Sequence, residues 1–214
     1  MTIRTDAAFR DDPDQTTDGR AARREKNRLA AIDAAIELFS EDNLQPGLDE
    51  IAQRSGLSSK SVHRYFESTQ ALLSAAIRRQ LEVGYLLYHI HAIGEGPLED
   101  RIDRFVSMRL KAHEEIGATA RAATVLATRS PQVRENFDRV RHLLQEQIEI
   151  HFARELDALP TLRRQSRVAA IDALVQFESL DYFRVRRGLS LAETQSILAD
   201  ALKVLLDCEA KSDA

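Results

Sequence analysis

Seven of the eight residues from Ser58 to Tyr65 can donate a hydrogen bond: Ser58, Ser59, Lys60, Ser61, His63, Arg64 and Tyr65. From Ile51 to Phe66 there are three basic residues, Arg54, Lys60 and Arg64, and no acid. A face rich in donors and free of carboxylates suits the phosphate oxygens and base edges of a nucleic acid. It does not suit proton-transfer or metal chemistry.

Such a face needs a short rigid element to present it. Ile51 to Phe66 reads as a short helix, a glycine turn and a second short helix, the layout of a helix-turn-helix. Ile51 and Ala52 give the first helix an apolar contact and a small residue where the second must cross closely. Gly56 supplies the left-handed backbone that ends the first helix. Leu57 plugs the turn, and Ser58 can cap the second helix. Val62 and Phe66, four apart, point inward and leave the donors largely outward. An ordinary helical hairpin would show the same residues. The flanks argue against it. Leu29, Ile32, Ala35, Ile36 and Phe39 form one helical stripe upstream, ended by Asn43, Pro46 and Gly47. Downstream, Ser68 is positioned to cap a further helix through Leu72, Leu73, Ala76, Ile77 and Leu81.

Ala34-Ala35-Ile36-Glu37-Leu38-Phe39, Ile51-Ala52, Ser55-Gly56-Leu57-Ser58, Ser61-Val62, Tyr65-Phe66 and Leu72 follow one another at fixed spacing. In this pattern the stretch from about Arg28 to Leu73, roughly a fifth of the chain, resembles the DNA-binding domain of the tetracycline-repressor (TetR) family of transcriptional regulators. Three positions depart from the family. Gly47 stands where a threonine usually opens the second helix, His63 where a tyrosine donates to a phosphate, and Thr69 where a lysine follows the serine of the fourth. These are backbone-positioning contacts; losing the threonine hydroxyl and the lysine charge should weaken non-specific affinity and flatten its salt dependence, while His63 can still donate. Lys60 offers one charge in return.

The net charge of −4 says little about nucleic acid, because binding depends on where charge sits. Residues 1–19, with Asp6, Asp11, Asp12, Asp14 and Asp18 around Pro13, read as a disordered acidic tail. Arg20, Arg23, Arg24, Lys26 and Arg28 follow, opposed only by Glu25. They form either a basic arm for the minor groove or a solvated helix start. Residues 20–67 are expected to be the helix-turn-helix domain and 68–210 a helical regulatory and dimerisation domain. With 43% hydrophobic and 30% charged residues, eight glycines and five prolines, the chain suits an all-α fold of about nine helices. One cysteine, Cys208, excludes an internal disulfide framework. No secretory pattern or membrane-spanning stretch is read, so a cytoplasmic protein is expected.

Beyond Leu81 the periodicity predicts helices to about His91, from Leu98 to about Ile116, from Gly117 through Leu126, from Ser130-Pro131 to about Leu156, from after Pro160 to Gly188, and from Ser190 onward. Ala169, Ala170 and Ala173 thin one side of the penultimate helix, and Ile197, Leu198, Ala201, Leu202 and Leu205 stripe the last. In the family such a pair packs against its copy, implying a homodimer on an inverted-repeat operator of double-stranded DNA. The family also implies a small-molecule effector in the helical body. Tyr85, His89, Phe105, Met108, His113 and Phe137 are the candidate lining here, and their character suits a hydrophobic or aromatic molecule. Residues of these types are more often simply core.

Catalysis is not expected. His89 and His91 are splayed by about 200° on a helix, and His142 and His151 by about 180°, which spoils joint metal ligation. Cys208 has no adjacent base. No cofactor, metal or membrane is expected. Two readings remain: a ligand-responsive DNA-binding regulator, repressing until a small molecule releases it, and a helical dimer with a degenerate head that binds a small molecule or a protein.

Overall fold

The computed structural model describes residues 13–207; residues 1–12 and Cys208 onward lie outside it. Ten α-helices and one π-helical turn make up the described residues, and no strand occurs among them. The helix α1 runs from Pro13 to Ser40 without a break. Residues 13–19, expected as part of a disordered tail, are therefore helical. Pro13 sits at the first position of the helix, where its fixed φ is helix-compatible. Two short helices follow, α2 (Leu48–Ser55) and α3 (Ser59–Tyr65), and then α4 (Thr69–Leu87). The body comprises α5 (Leu98–Ala127), α6 (Pro131–His151), α7 (Ala153–Leu156), α8 (Thr161–Val175), α9 (Phe177–Asp181) and α10 (Leu191–Leu206). The π-helical turn, Tyr182–Arg186, continues α9.

Several joints differ from the sequence-based expectation, each for a local reason. Helix α4 stops at Leu87 rather than near His91. Side chains from α6 capture the backbone that would have continued it: Gln147 Nε2 donates to the Tyr88 carbonyl at 2.6 Å, and His151 Nδ1 accepts from the Gly94 amide at 3.0 Å. Gly117 does not break α5, which is one 30-residue helix. A helical glycine costs about 0.5–1 kcal/mol relative to alanine, and burial of Ile116, Ala120, Ala122 and Ala123 around it outweighs that cost. The helix expected to reach Gly188 breaks at Gln176, whose extended backbone (ψ 163°) separates α8 from α9. Ser179 Oγ donates to the Ala173 carbonyl there and occupies an acceptor that the broken helix leaves open. These breaks, with one at Phe152, replace an expected nine helices by ten.

The buried side chains fall into two clusters. One joins Ile32 and Phe39 of α1, Ile51 of α2, Val62 of α3 and Leu72 and Ala76 of α4 to Ala122 and Ala123 of α5 and Val133 of α6. The other joins Ile102, Phe105 and Leu110 of α5 to Ile148 of α6, Phe152, Leu156 of α7, Ile171 of α8, and Leu198 and Leu202 of α10. Only α5 contributes heavily to both. At Gly84 the crossing of α4 on α5 is close enough that a Cβ would lie 2.7 Å from Ile116 Cδ1. Among the described residues no helix is long and apolar enough to cross a membrane.

Candidate functional site

The turn between α2 and α3 is built as its residues dictate. Gly56 adopts φ 67°, where a Cβ would cost about 1–2 kcal/mol. Leu57 then donates its amide to the Ala52 carbonyl at 3.0 Å. Ser58 caps α3 by accepting from the Ser61 amide at 3.2 Å, and the two hydroxyls lie 2.9 Å apart. Val62 is fully buried and Phe66 nearly so, which turns the other side of α3 to solvent. Gly47 has no side chain to cap α2. Instead the Glu50 carboxylate, one turn on, accepts from the Gly47 amide at 2.6 Å and from Asn43 Nδ2 at 3.2 Å. Ser68 caps α4 through the Ala71 amide at 3.1 Å, with Thr69 beside it and half-buried.

The donors on α3 do not all behave alike. Lys60, His63 and Arg64 are exposed. Ser59 Oγ donates to Asp49 Oδ1 at 2.6 Å, so its hydroxyl is already committed to α2. Tyr65 is half-buried rather than outward. Its hydroxyl receives Asn27 Nδ2 and Arg64 Nη2, both at 3.1 Å, and the Arg64 guanidinium lies 5.3 Å from its ring centre. Those bonds, Asn27 first, hold the phenol below its usual pKa. Tyr65 therefore fastens α3 to α1 and steers Arg64. Arg54 is no part of the free positive face: Glu41 holds it at 2.7 Å, with Glu37 at 3.6 Å. The segment with Arg20, Arg23 and Arg24 is helical rather than an extended arm, and it borders the same shallow concavity as Ser58, Ser61 and Arg64. Among the described residues Lys60, Arg20, Arg23 and Arg24 have no carboxylate within ion-pair distance.

A second site lies in the body. A small cavity of about 50 Å³, bounded by α4, α5, α6, α8 and α9, adjoins an outer groove of about 320 Å³ between α4 and α6. Leu81, Tyr88, Val140 and Leu144 line both. Of the six candidate lining residues, His113 and Phe137 face the cavity and His89 faces the groove. Phe105 and Met108 do not. They lie on the side of α5 that meets the second cluster, where Phe105 packs edge-on against Phe152 with centroids 5.3 Å apart. Tyr85 belongs to α4, and its side chain lies outside the described residues.

Sequence reasoning singled out His113 but passed over Arg109 and Asp172, the other polar groups of this cavity. Arg109 is 2% exposed, yet it lines the space together with Asp172. Its guanidinium lies 4.8 Å from the Phe105 ring centre and 5.6 Å from that of Tyr88. One amino group donates to the Leu144 carbonyl at 2.8 Å, while Nε and Nη1 are buried without a partner. Burial pushes this guanidinium down to about 10, against the pull of Tyr88 and Asp172. Burial likewise raises Asp172, with Arg109 opposing. His113 stacks on Phe177 at 5.4 Å, and burial lowers its pKa although Asp181 lies 3.5 Å from Nε2. Spacing places Arg109 on the face of His113, four residues on, but its charge masks its burial. No group of three or more metal-ligating side chains occurs among the described residues.

Residues 31–76 match the family model described as bacterial regulatory proteins, tetR family. Among solved structures, the chain is similar to a tetR-family transcriptional regulator from Streptomyces coelicolor: 26% identity, TM-score 0.67, 85% of this chain on 80% of that one. A transcriptional regulator from Rhodococcus sp. Rha1 aligns at 18% identity and TM-score 0.67, over 84% of this chain and 95% of that one. The multidrug binding protein EbrR, complexed with imidazole, aligns at 14% identity and TM-score 0.58, over 87% and 98%. No curated protein matches the chain. Residues 31–76 of this molecule thus carry the pattern of the N-terminal domain of the tetR family of bacterial regulatory proteins, on an all-helical fold similar to that of tetR-family transcriptional regulators.

Proposed function

We propose that the protein is a dimeric, ligand-responsive repressor that holds an inverted-repeat operator and releases it when a small molecule occupies the body. The observation that carries the first half is the exposed face of α3, with Lys60, His63 and Arg64 beside Arg20, Arg23 and Arg24 of α1 and no acid among them. Lys60 and Arg64 are suited to bases and phosphates, and the α1 arginines to phosphates alone. Ser58, Ser59, Ser61 and Tyr65 hold that face in place.

Dimerisation is supported by apolar surface that the single chain leaves uncovered. Leu162, Ala169 and Ala173 are exposed on α8, and Ile197 and Val204 on α10. Spacings of seven and four on α8, and of seven on α10, put each set on one face. A two-fold pair joined there would carry two heads, as two half-sites require.

The cavity supports the effector role, as does a multidrug binding protein on the same fold. His113 and Phe177 line it, and Asp181 beside them accepts from Arg121 Nη1 at 2.9 Å. Arg121 Nε lies 3.5 Å from Asp42, in the turn after α1. A molecule that displaces His113 or Phe177 acts on this bridge and favours a head spacing that no longer fits the operator, a shift between existing states.

The test is binding to DNA from around the protein's own gene, by mobility shift and footprinting at near-physiological salt. Protection of an inverted repeat is expected. A folded dimer that protects no site would favour the degenerate-head module, with function in the body alone.

A further inference from the structure

We infer that the cavity takes an amphipathic carboxylate, its charged group bound by Arg109 and its apolar body lying in the groove between α4 and α6. The inference rests on the reading of this cavity as the effector site and adds the chemical class of the effector. Its starting point is a cation that the protein buries and only partly satisfies. Arg109 is 2% exposed, its guanidinium lies near two aromatic rings, and one amino group is anchored to the Leu144 carbonyl. Nε and Nη1 remain without acceptors. A buried charged donor with no acceptor is costly, and an incoming carboxylate oxygen removes that cost while making a hydrogen bond stronger than a neutral one.

The dimensions divide such a ligand in two. The cavity of about 50 Å³ is comparable to one small polar group and excludes a long apolar body. The outer groove of about 320 Å³ takes that body, and its walls are the side chains for it: Leu81, Leu86, Leu143, Leu144 and Ile150. Leu86 is 76% and Ile150 57% exposed, an apolar surface that the chain itself leaves to water. Tyr88 stands where the two spaces meet.

Other charges face the same space and set the direction of the test. Asp172 on α8 is the one carboxylate lining the cavity, and it competes with a ligand carboxylate for Arg109. Arg141 of α6 is at the rim, bound to Glu178 of α9. His113 is held toward its neutral form by burial and so adds little charge. Removing the Asp172 charge at constant shape should therefore strengthen anion binding, and removing the Arg109 charge should abolish its advantage. Loss of packing would instead weaken both variants.

The experiment is calorimetric titration of the full-length protein with decanoate, decanol and decyltrimethylammonium, three probes of equal chain length and different headgroup. Decanoate is expected to bind at least about tenfold more tightly than the other two, the worth of one hydrogen bond to a charged group. Arg109→Gln should erase that preference, Arg109→Lys should keep part of it, and Asp172→Asn should tighten decanoate while leaving decanol unchanged. Equal binding of all three probes, a preference for the cation, no decanoate binding, or a weaker Asp172→Asn variant would each overturn the inference. A protein that protects an inverted repeat yet shows no carboxylate preference loses only this assignment. One that prefers decanoate through Arg109 yet binds no DNA keeps it and loses the repressor reading.

Discussion

The head and the body are both helical, but they are specified differently. In the head, hydrogen bonds within a few residues do most of the shaping: Gly56 turns the chain, Ser58 and Ser68 cap, and Glu50 closes the start of α2. In the body, the bonds that set the joints reach across 35 residues or more, as when Arg109 donates to the Leu144 carbonyl, His151 accepts from the Gly94 amide or Gln147 donates to the Tyr88 carbonyl. Arg101 is an extreme case: 2% exposed, it donates to the Glu155 carboxylate and to the His151 carbonyl at 2.9 Å. Local rules give a surface that can be reused on different partners. Long-range rules give an interior that a single ligand can perturb.

The largest effects should come from the two cores. Phe39→Ala in the head and Phe105→Ala in the body, both fully buried, should each cost about 3–5 kcal/mol in urea denaturation. If both shift one common transition, the two clusters unfold together; separate transitions would make head and body independent units. Next in size, Arg64→Ala should cost about 1–3 kcal/mol of operator affinity and leave the decanoate titration unchanged, whereas an equal effect on both would erase the functional separation. Two glycines then sharpen the contrast. Gly56→Ala should destabilise by about 1–2 kcal/mol, because φ 67° strains any Cβ. Gly117→Ala should stabilise by about 0.5–1 kcal/mol, since its Cβ would meet only ordinary contacts 3.6 Å from the His113 ring.

The smallest effect is with pH and belongs to the body. His113 and His151 both have their pKa lowered, burial being the main cause in each. The unfolded chain therefore binds protons that the folded chain resists. Their contribution is complete above the ordinary histidine pKa near 6.5 and falls as pH drops below it toward the lowered folded values. Thermal denaturation from pH 8 to 5 should show stability falling through that window, and His113→Phe should reduce the slope.

What could be read from the sequence follows the same division. Caps at Ser58, Ser68, Ser130 and Ser190 and the left-handed Gly56 were legible because each acts within a turn of its own position. The break at Gln176 carries neither glycine nor proline, and no local signal announces it. Gly117 did carry such a signal, and burial on both sides overrode it. Arg109 was hidden for a related reason. A charged residue flanked by Met108 and Leu110 reads as a solvated face until α6 and α8 cover it. Arg54 failed in the opposite sense, since Glu37 and Glu41, 17 and 13 residues earlier, neutralise it across α1.

Helix α5 also sets a limit on how the molecule can be divided. At 30 residues it is a rod of about 45 Å, its near half set in one core and its far half in the other. A fragment cut after residue 67 would carry every residue of the α3 face yet lack Leu72, Leu73, Ala76, Ala122, Ala123 and Val133, which close the core beneath it. Such a fragment would expose that apolar floor to water. The head of this protein is consequently not a detachable module, and grafting it elsewhere means transplanting the end of the rod as well.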